Sequence, residues 1–506
     1  MTDRPLVAQR LARSPEWMRH LLCLASIWAT LLGVYFAAGS FRAELAGPDE
    51  AAYVVSGIMV REYIAGPLWH GVSPMAFAQQ YYDNYPKVAI GHWPPVYFLV
   101  QGAWLLLTGV SREAVLALSA FLSACLASLT ILLCRREGLR WSMAATAGVV
   151  TVLLPVHLRS MLEVGSDVIT GIAILVATLC CQRWIAQQNA RNSLLFAVSA
   201  SVAMLCKGSA FLLFLVAPMA LLLTQRNWSW LRSRESWRAI AVVALLVLPW
   251  YYFARRFLQE EIMPGEQRSV GDAMLNAAYS NAWIFLSLCG LAMLPLALVS
   301  VRDWFRRAPA VAVLPIATWL FLTLLSPHTE DRLFLHLVPV FVFSGALAAN
   351  ALLPRVQELV LVAALAIAFG NVRIREKPAV GFVPAVDWLI LAPRETANRI
   401  FVSSNWKKEG ALISEFALRQ PTPHRTIVRA TKVLQSSTWM GDNVQLRARS
   451  AADVAHILDA NHITMVVRHV SPEAPPELYA PSLDEVLSHW QLLREFGEVR
   501  IYGRNQ

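Results

Sequence analysis

Two adjacent carboxylates, Asp49 and Glu50, follow Pro48 and open a stretch from Ala51 to Ile64 with helical spacing. In a first helical turn the dipole favours their anionic form, and an ionised carboxylate at the rim of a cavity can accept a proton from an incoming nucleophile. Ordinary capping by acidic residues accounts for the same pair. Lys207 lies in Leu205-Cys206-Lys207-Gly208-Ser209, between two apolar runs. An ionisable group at membrane depth is a functional candidate, and an ammonium suits an anionic phosphate as a point charge. A lysine that ends one span and snorkels to the interface would read the same way. Arg332 closes the charged segment Ser326-Pro327-His328-Thr329-Glu330-Asp331-Arg332 and is a second phosphate candidate, with Arg159 a third. For Arg332 the competing account is a local ion pair with Glu330 or Asp331, worth little at an exposed site. Glu163, Asp167 and His92 are placed to converge with Asp49 and Glu50. A His and carboxylate set resembles a zinc site, but neither HxxxH nor HExxH spacing occurs.

These residues need elements to position them, and composition says which kind. Of 506 residues, 15% are charged and 56% hydrophobic, against roughly one-quarter charged in a soluble domain. That excludes a purely soluble enzyme and a disordered chain. The formal charge of +10 is spread as short Arg groups between apolar runs, unlike the single basic face of a nucleic-acid binder, so no nucleic-acid partner is expected. A helix needs about 20 apolar residues to cross a bilayer. Apolar runs fall near 21 to 40, 113 to 134, 141 to 157, 167 to 183, 193 to 206, 209 to 225, 239 to 253, 281 to 301, 310 to 325, 333 to 352 and 357 to 371.

The arginines choose sides. Arg4, Arg10, Arg13 and Arg19 precede the first run, and with the N-terminus inside, the segments carrying Arg135, Arg136 and Arg140, then Arg183 and Arg191, Arg226 to Arg238, Arg302 to Arg307, and Arg355 all come out cytoplasmic. That is the positive-inside pattern. The run from Pro94 to Gly109 must then be a re-entrant or interfacial helix, since counting it as a span inverts every later loop. Pro94-Pro95 at its start fits a first helical turn. The outer side receives a long first loop from about 41 to 112, with an amphipathic helix lying along the bilayer surface through Val54, Val55, Ile58 and Met59. It also receives the segments around Glu163, Lys207 and Arg332, the loop from 254 to 280, and everything after about 372.

The fold class expected is an α-helical polytopic membrane protein of about 11 transmembrane helices with amphipathic external-loop helices, in the cytoplasmic (inner) membrane, plus a small C-terminal α/β soluble domain. The expected domains are a core over 1–371 and an external, periplasmic domain over 372–506. In that tail, strands near 399 to 402, 426 to 429, 463 to 470 and 499 to 502 alternate with helices near 409 to 419, 451 to 461 and 483 to 490. It carries no GxGxxG and no Walker loop. All seven cysteines sit in or beside apolar runs and say nothing of redox compartment.

Asp49-Glu50 in a long first loop, Trp93-Pro94-Pro95-Val96-Tyr97 before an apolar helix, Asp167, Lys207-Gly208, Pro249-Trp250-Tyr251 and Arg332 ahead of Val338-Pro339 together resemble the GT-C superfamily of membrane glycosyltransferases. The likeness is to protein O-mannosyltransferases, lipid A aminoarabinose transferases and rhizobial lipopolysaccharide glycosyltransferases, over roughly Leu21 to Asn371. The resemblance implies a polyprenyl-phosphate sugar donor, a lipid, glycan or protein acceptor on the outer face, and inversion at the sugar. It implies that the acidic residue at Asp49 acts as base or orients the acceptor hydroxyl and that basic residues at Lys207 and Arg332 bind the donor phosphate; beside these, Glu50 is expected with Asp49 in catalysis, Arg159 at the phosphate, and His92, Asp167 and Tyr53 at the sugar or acceptor. Where aminoarabinose transferases carry Glu-Lys before the double proline, this chain has His92-Trp93. No cofactor is expected, because the leaving phosphate carries its own charge, and a divalent ion stays open. The rival classes are a multispan transporter, which would show internal repeats, and a non-catalytic envelope-assembly protein.

Overall fold

The computed structural model describes residues 15–47, 49–89, 91–225, 229–261, 270–288, 293–326, 329–352, 355–369, 377, 379–393, 397–436, 444–471 and 477–504. Pro48, His328, the basic residues Arg4, Arg10, Arg13 and Arg226, and the middle of the 254 to 280 loop lie outside them.

The fold is mostly helical with a small sheet near its C-terminus. Among the described residues, five helices are long and apolar enough to cross a bilayer: Glu16–Ala37, Arg112–Arg136, Asp167–Ala186, Arg234–Arg256 and Asp331–Ala351. Trp141–Leu153 and Pro155–Leu162 make a sixth if taken together, bent by 57° where Pro155 starts the second piece. Proline is accommodated at a helix start because its missing N–H would have had no partner there. Val96–Thr108, Gly208–Thr224, Pro309–Leu325 and Gln357–Ala368 are apolar but shorter. Buried hydroxyls and amides bond across helices, as in Thr130 to Thr151 at 3.0 Å and Asn281 to the Leu322 carbonyl at 3.1 Å; such contacts between membrane helices are worth roughly 0.6 kcal/mol each.

The contacts sort by end. Segments that the arginine pattern puts on one side meet one another. Arg135 pairs with Glu16 at 2.6 Å, Ser142 bonds Glu358 at 2.8 Å, Gln182 accepts from the Ala310 N–H at 3.0 Å, and Ser193 bonds the Glu235 carbonyl at 2.6 Å. The opposite end gathers Asp49, Glu50, Glu163, Asp167, Lys207 and Arg332.

The helix expected along the bilayer surface is Glu50–Ala65, but its first half is buried on every side, from Glu50 to Ile58. The surface placement is corrected for a tertiary reason. One flank packs on Val96–Thr108, where Gly57 lies so close to Gln101 that a Cβ would reach its Oε1. The other flank packs on Trp406–Arg419, a helix of the C-terminal region.

That region holds β1 (Arg399–Ser403), β2 (Thr426–Arg429), β3 (Gln435–Ser436), β4 (Gln445–Leu446), β5 (Met465–His469), β6 (Gln491–Phe496) and β7 (Val499–Gly503). Five strands form one sheet in the order β2-β1-β5-β7-β6. β1 runs parallel to β2 and β5, and β7 antiparallel to β5 and β6. The expected alternation of strands and helices is present, with additions that include the short helix Ala430–Val433, the β3–β4 pair, and β6, which follows the helix Ala480–Leu487. The C-terminal region is joined to the first loop. Glu44 accepts the N–H groups of Val380, Gly381 and Phe382, Arg112 pairs with buried Glu415, and Tyr81 and Tyr85 donate to the carbonyls of Pro421 and Gln420. Gly381 is required where it stands: its φ is 118°, and a Cβ would collide with the Phe496 carbonyl.

Candidate active site

Asp49 occupies the N-cap position of Glu50–Ala65, yet its side chain makes no capping bond. Its Oδ2 instead accepts from Nη2 of Arg332 at 3.1 Å. The capping account of Asp49 therefore fails. The local account of Arg332 holds in part, since its Nε donates to Glu330 at 2.6 Å while its other nitrogens face Asp49 and, at 3.8 Å, Asp167. Asp167 opens its own helix and also takes Lys207 Nζ at 2.5 Å. Lys207, Asp167, Arg332 and Asp49 thus form one continuous ionic chain drawn from four separate segments.

Beside this chain lies a cavity of about 280 Å³, lined by Asp49, Glu50, Arg159, Glu163, Asp167, Asp331 and Arg332, among others. Arg159 reaches it from an exposed position, paired with Asp331 at 2.9 Å. Lys207 stands behind Asp167. Its backbone is fixed close to the double proline, because the Val96 N–H donates to the Leu205 carbonyl at 3.0 Å. Tyr251, from the Pro249-Trp250-Tyr251 motif, donates to the Met204 carbonyl at 3.0 Å and supports the same turn.

Glu50 is 2% exposed and fully engaged. It accepts from the Gly47 N–H at 2.8 Å, from the Val164 N–H at 3.0 Å, and from Lys377. That makes it a clamp between the first loop, the Glu163 segment and the approach to the C-terminal region. Tyr53 is also buried. Its ring stacks on Trp93 at 4.3 Å and its hydroxyl bonds Ser166 at 2.8 Å, so it stiffens the wall behind the cavity; burial, and then the charge of Asp167, push its hydroxyl well above the usual tyrosine range. His92 is half-buried next to Trp93 and is not among the cavity residues.

Sequence reasoning brought Asp49, Asp167, Lys207 and Arg332 forward, and the structure brings them together. It missed Lys377, whose one signal was rarity, the chain having only six lysines. Among the described residues, no group of three or more His, Cys, Asp or Glu side chains is arranged to hold a metal ion.

Residues 92–253 match the dolichyl-phosphate-mannose-protein mannosyltransferase family, of the GT-C superfamily. The resemblance read from the motifs is borne out over that stretch. No curated protein matches the chain. The matched segment includes Trp93 to Tyr97, Asp167, Lys207 and Tyr251, whereas Asp49 and Arg332 fall outside it. The ionic chain is what joins the two sets. Together with the apolar helices, the family match supports a multi-pass membrane glycosyltransferase of the GT-C type.

Proposed function

We propose that the protein transfers a sugar from a polyprenyl-phosphate donor to a lipid, glycan or protein acceptor at the outer face of the cytoplasmic membrane, with inversion. The observation that carries this reading is the ionic chain Lys207, Asp167, Arg332, Asp49 at the rim of a cavity where spans begin. Two cations that share the Asp167 carboxylate, Lys207 at 2.5 Å and Arg332 at 3.8 Å, are suited to a phosphate whose negative charge grows as the anomeric bond breaks. Asp49 aims Arg332 at that phosphate and places a negative charge beside the sugar as positive charge develops on it. The polyprenyl chain would leave through the surrounding bilayer.

The test is loss and restoration of product. Mass spectrometry of envelope glycans, glycolipids and glycoproteins from a deletion strain is expected to lack one sugar. Wild-type protein restores it, while Lys207→Ala and Arg332→Ala, inserted at normal levels, do not. Full restoration by both variants, or an unchanged envelope in the deletion strain, would overturn the reading.

A further inference from the structure

The cavity is lined by five carboxylates, and four of them are already committed. Asp49 is held by Arg332, Asp167 by Lys207 and Arg332, Asp331 by Arg159, and Glu50 by Gly47, Val164 and Lys377. The fifth, Glu163, makes no hydrogen bond or ion pair among the described residues and keeps an exposed side chain at the cavity wall. A carboxylate bound to a guanidinium is a weak base, because any proton it takes must displace a charge-assisted bond. A free carboxylate facing the same space has no such cost.

We propose that Glu163 is the group that takes the proton from the acceptor. The assignment rests on the transfer reading above and deepens it. The acceptor oxygen attacks the anomeric carbon, and its proton passes to a Glu163 oxygen. The bond from that carbon to the phosphate oxygen breaks, and its electron pair stays on the phosphate, facing Arg332, with Lys207 behind Asp167. Glu163 then releases the proton to water.

The surroundings of Glu163 fit this role. It follows directly on the helix Pro155–Leu162 with extended backbone, and its neighbour Val164 is clamped by Glu50, so the side chain is presented from a fixed hinge. On the helical side, the Met161 carbonyl accepts from buried Tyr35. Desolvation first, and then the negative charge of Glu50, raise the Glu163 carboxyl above its ordinary value; Asp49 adds to the rise, while Lys377 and Arg332 oppose it. A general base gains from a proton affinity above that of an ordinary carboxyl, and these groups shift Glu163 in that direction.

The test uses the full-length protein in proteoliposomes with a set of polyprenyl-phosphate sugars and water as the acceptor, reading released polyprenyl phosphate against pH. Wild-type rate is expected to fall as pH drops through the raised carboxyl value. Glu163→Gln should lower kcat by about 100-fold or more and lose that acid limb, while melting like wild type because no bond is removed. Glu163→Asp should recover part of the rate. Asp49→Asn should be slow as well, yet keep the limb and show a raised donor KM, since its effect runs through Arg332. A Glu163→Gln enzyme within two-fold of wild type, or one retaining the acid limb, overturns the assignment and leaves the transfer reading standing. A wild-type protein that cleaves none of the donors, either with water or with added envelope lipids, glycans and proteins as acceptors, overturns both.

Discussion

Arg332 donates to Asp49 at 3.1 Å although the two residues lie 283 positions apart. The bond ties the start of a spanning helix to the start of the buried first-loop helix, and Asp167 and Lys207 extend it into the segment matched by the glycosyltransferase family. A residue that touches three carboxylates acts by geometry as much as by charge.

For that reason Arg332→Lys is expected to behave poorly despite conserving charge. The guanidinium serves Glu330, Asp49 and Asp167 from three different nitrogens, a fork that one ammonium cannot copy. Donor kcat/KM should fall by about 10-fold or more, corresponding to roughly 1.4 kcal/mol, mostly through KM. Steady-state assays with a polyprenyl-phosphate sugar check this, and equal kinetics for Arg332→Lys and wild type would rule the fork out.

Glu50 and Lys377 form the second long-range pair, with side chains only 2% and 13% exposed. Removing one partner of such a pair strands the other charge, at a cost of about 3 to 5 kcal/mol. Lys377→Ala should therefore lower the melting temperature clearly, and Lys377→Ala with Glu50→Gln should recover part of the loss. A double variant that melts below the single one contradicts this account.

Steric coupling between the C-terminal region and the site is tested at Gly410. A Cβ there would lie 3.0 Å from the Ala51 Cβ and 2.8 Å from the Lys87 Cε, and Ala51 is two residues from Asp49. Gly410→Val should force the helix Trp406–Arg419 away from Glu50–Ala65 and reduce transfer several-fold while the protein still inserts. Unchanged activity would mean that the two helices separate without disturbing Asp49.

Much of this was legible in the chain because membrane folding leaves strong marks. Apolar runs and arginine clusters placed the segments, and the ends they assign are the ends that meet, as Arg135 with Glu16 and Ser142 with Glu358 illustrate. Scarcity of charge singled out Asp49, Asp167, Lys207 and Arg332. The failures share a cause in tertiary contact. The contacts of Glu50 with Val164 and Lys377 were not legible, because nothing local says that those two will meet it. The first-loop helix read as amphipathic because the apolar residues that meet the bilayer and those that meet another helix look alike. β6, with most of its side chains exposed, and the two-residue strands β3 and β4 carry too little periodicity to be read.

Lys87, next to the same contact, gives a pH dependence with a defined sign. It makes no ion pair among the described residues, and desolvation, followed by repulsion from Arg429, lowers its ammonium to about 7, against the attraction of Asp49 and Glu409. An ordinary lysine titrates near 10.4. Between those values the unfolded chain binds a proton that the folded chain has released, so stability rises with pH across the window. The melting temperature in detergent should therefore increase from pH 7 to pH 9. Lys87→Met, which keeps the apolar stem and removes the charge, should melt higher than wild type at pH 7 and show a flatter rise. If the variant keeps the wild-type slope, the dependence arises from another group and Lys87 is ionised in the folded protein throughout.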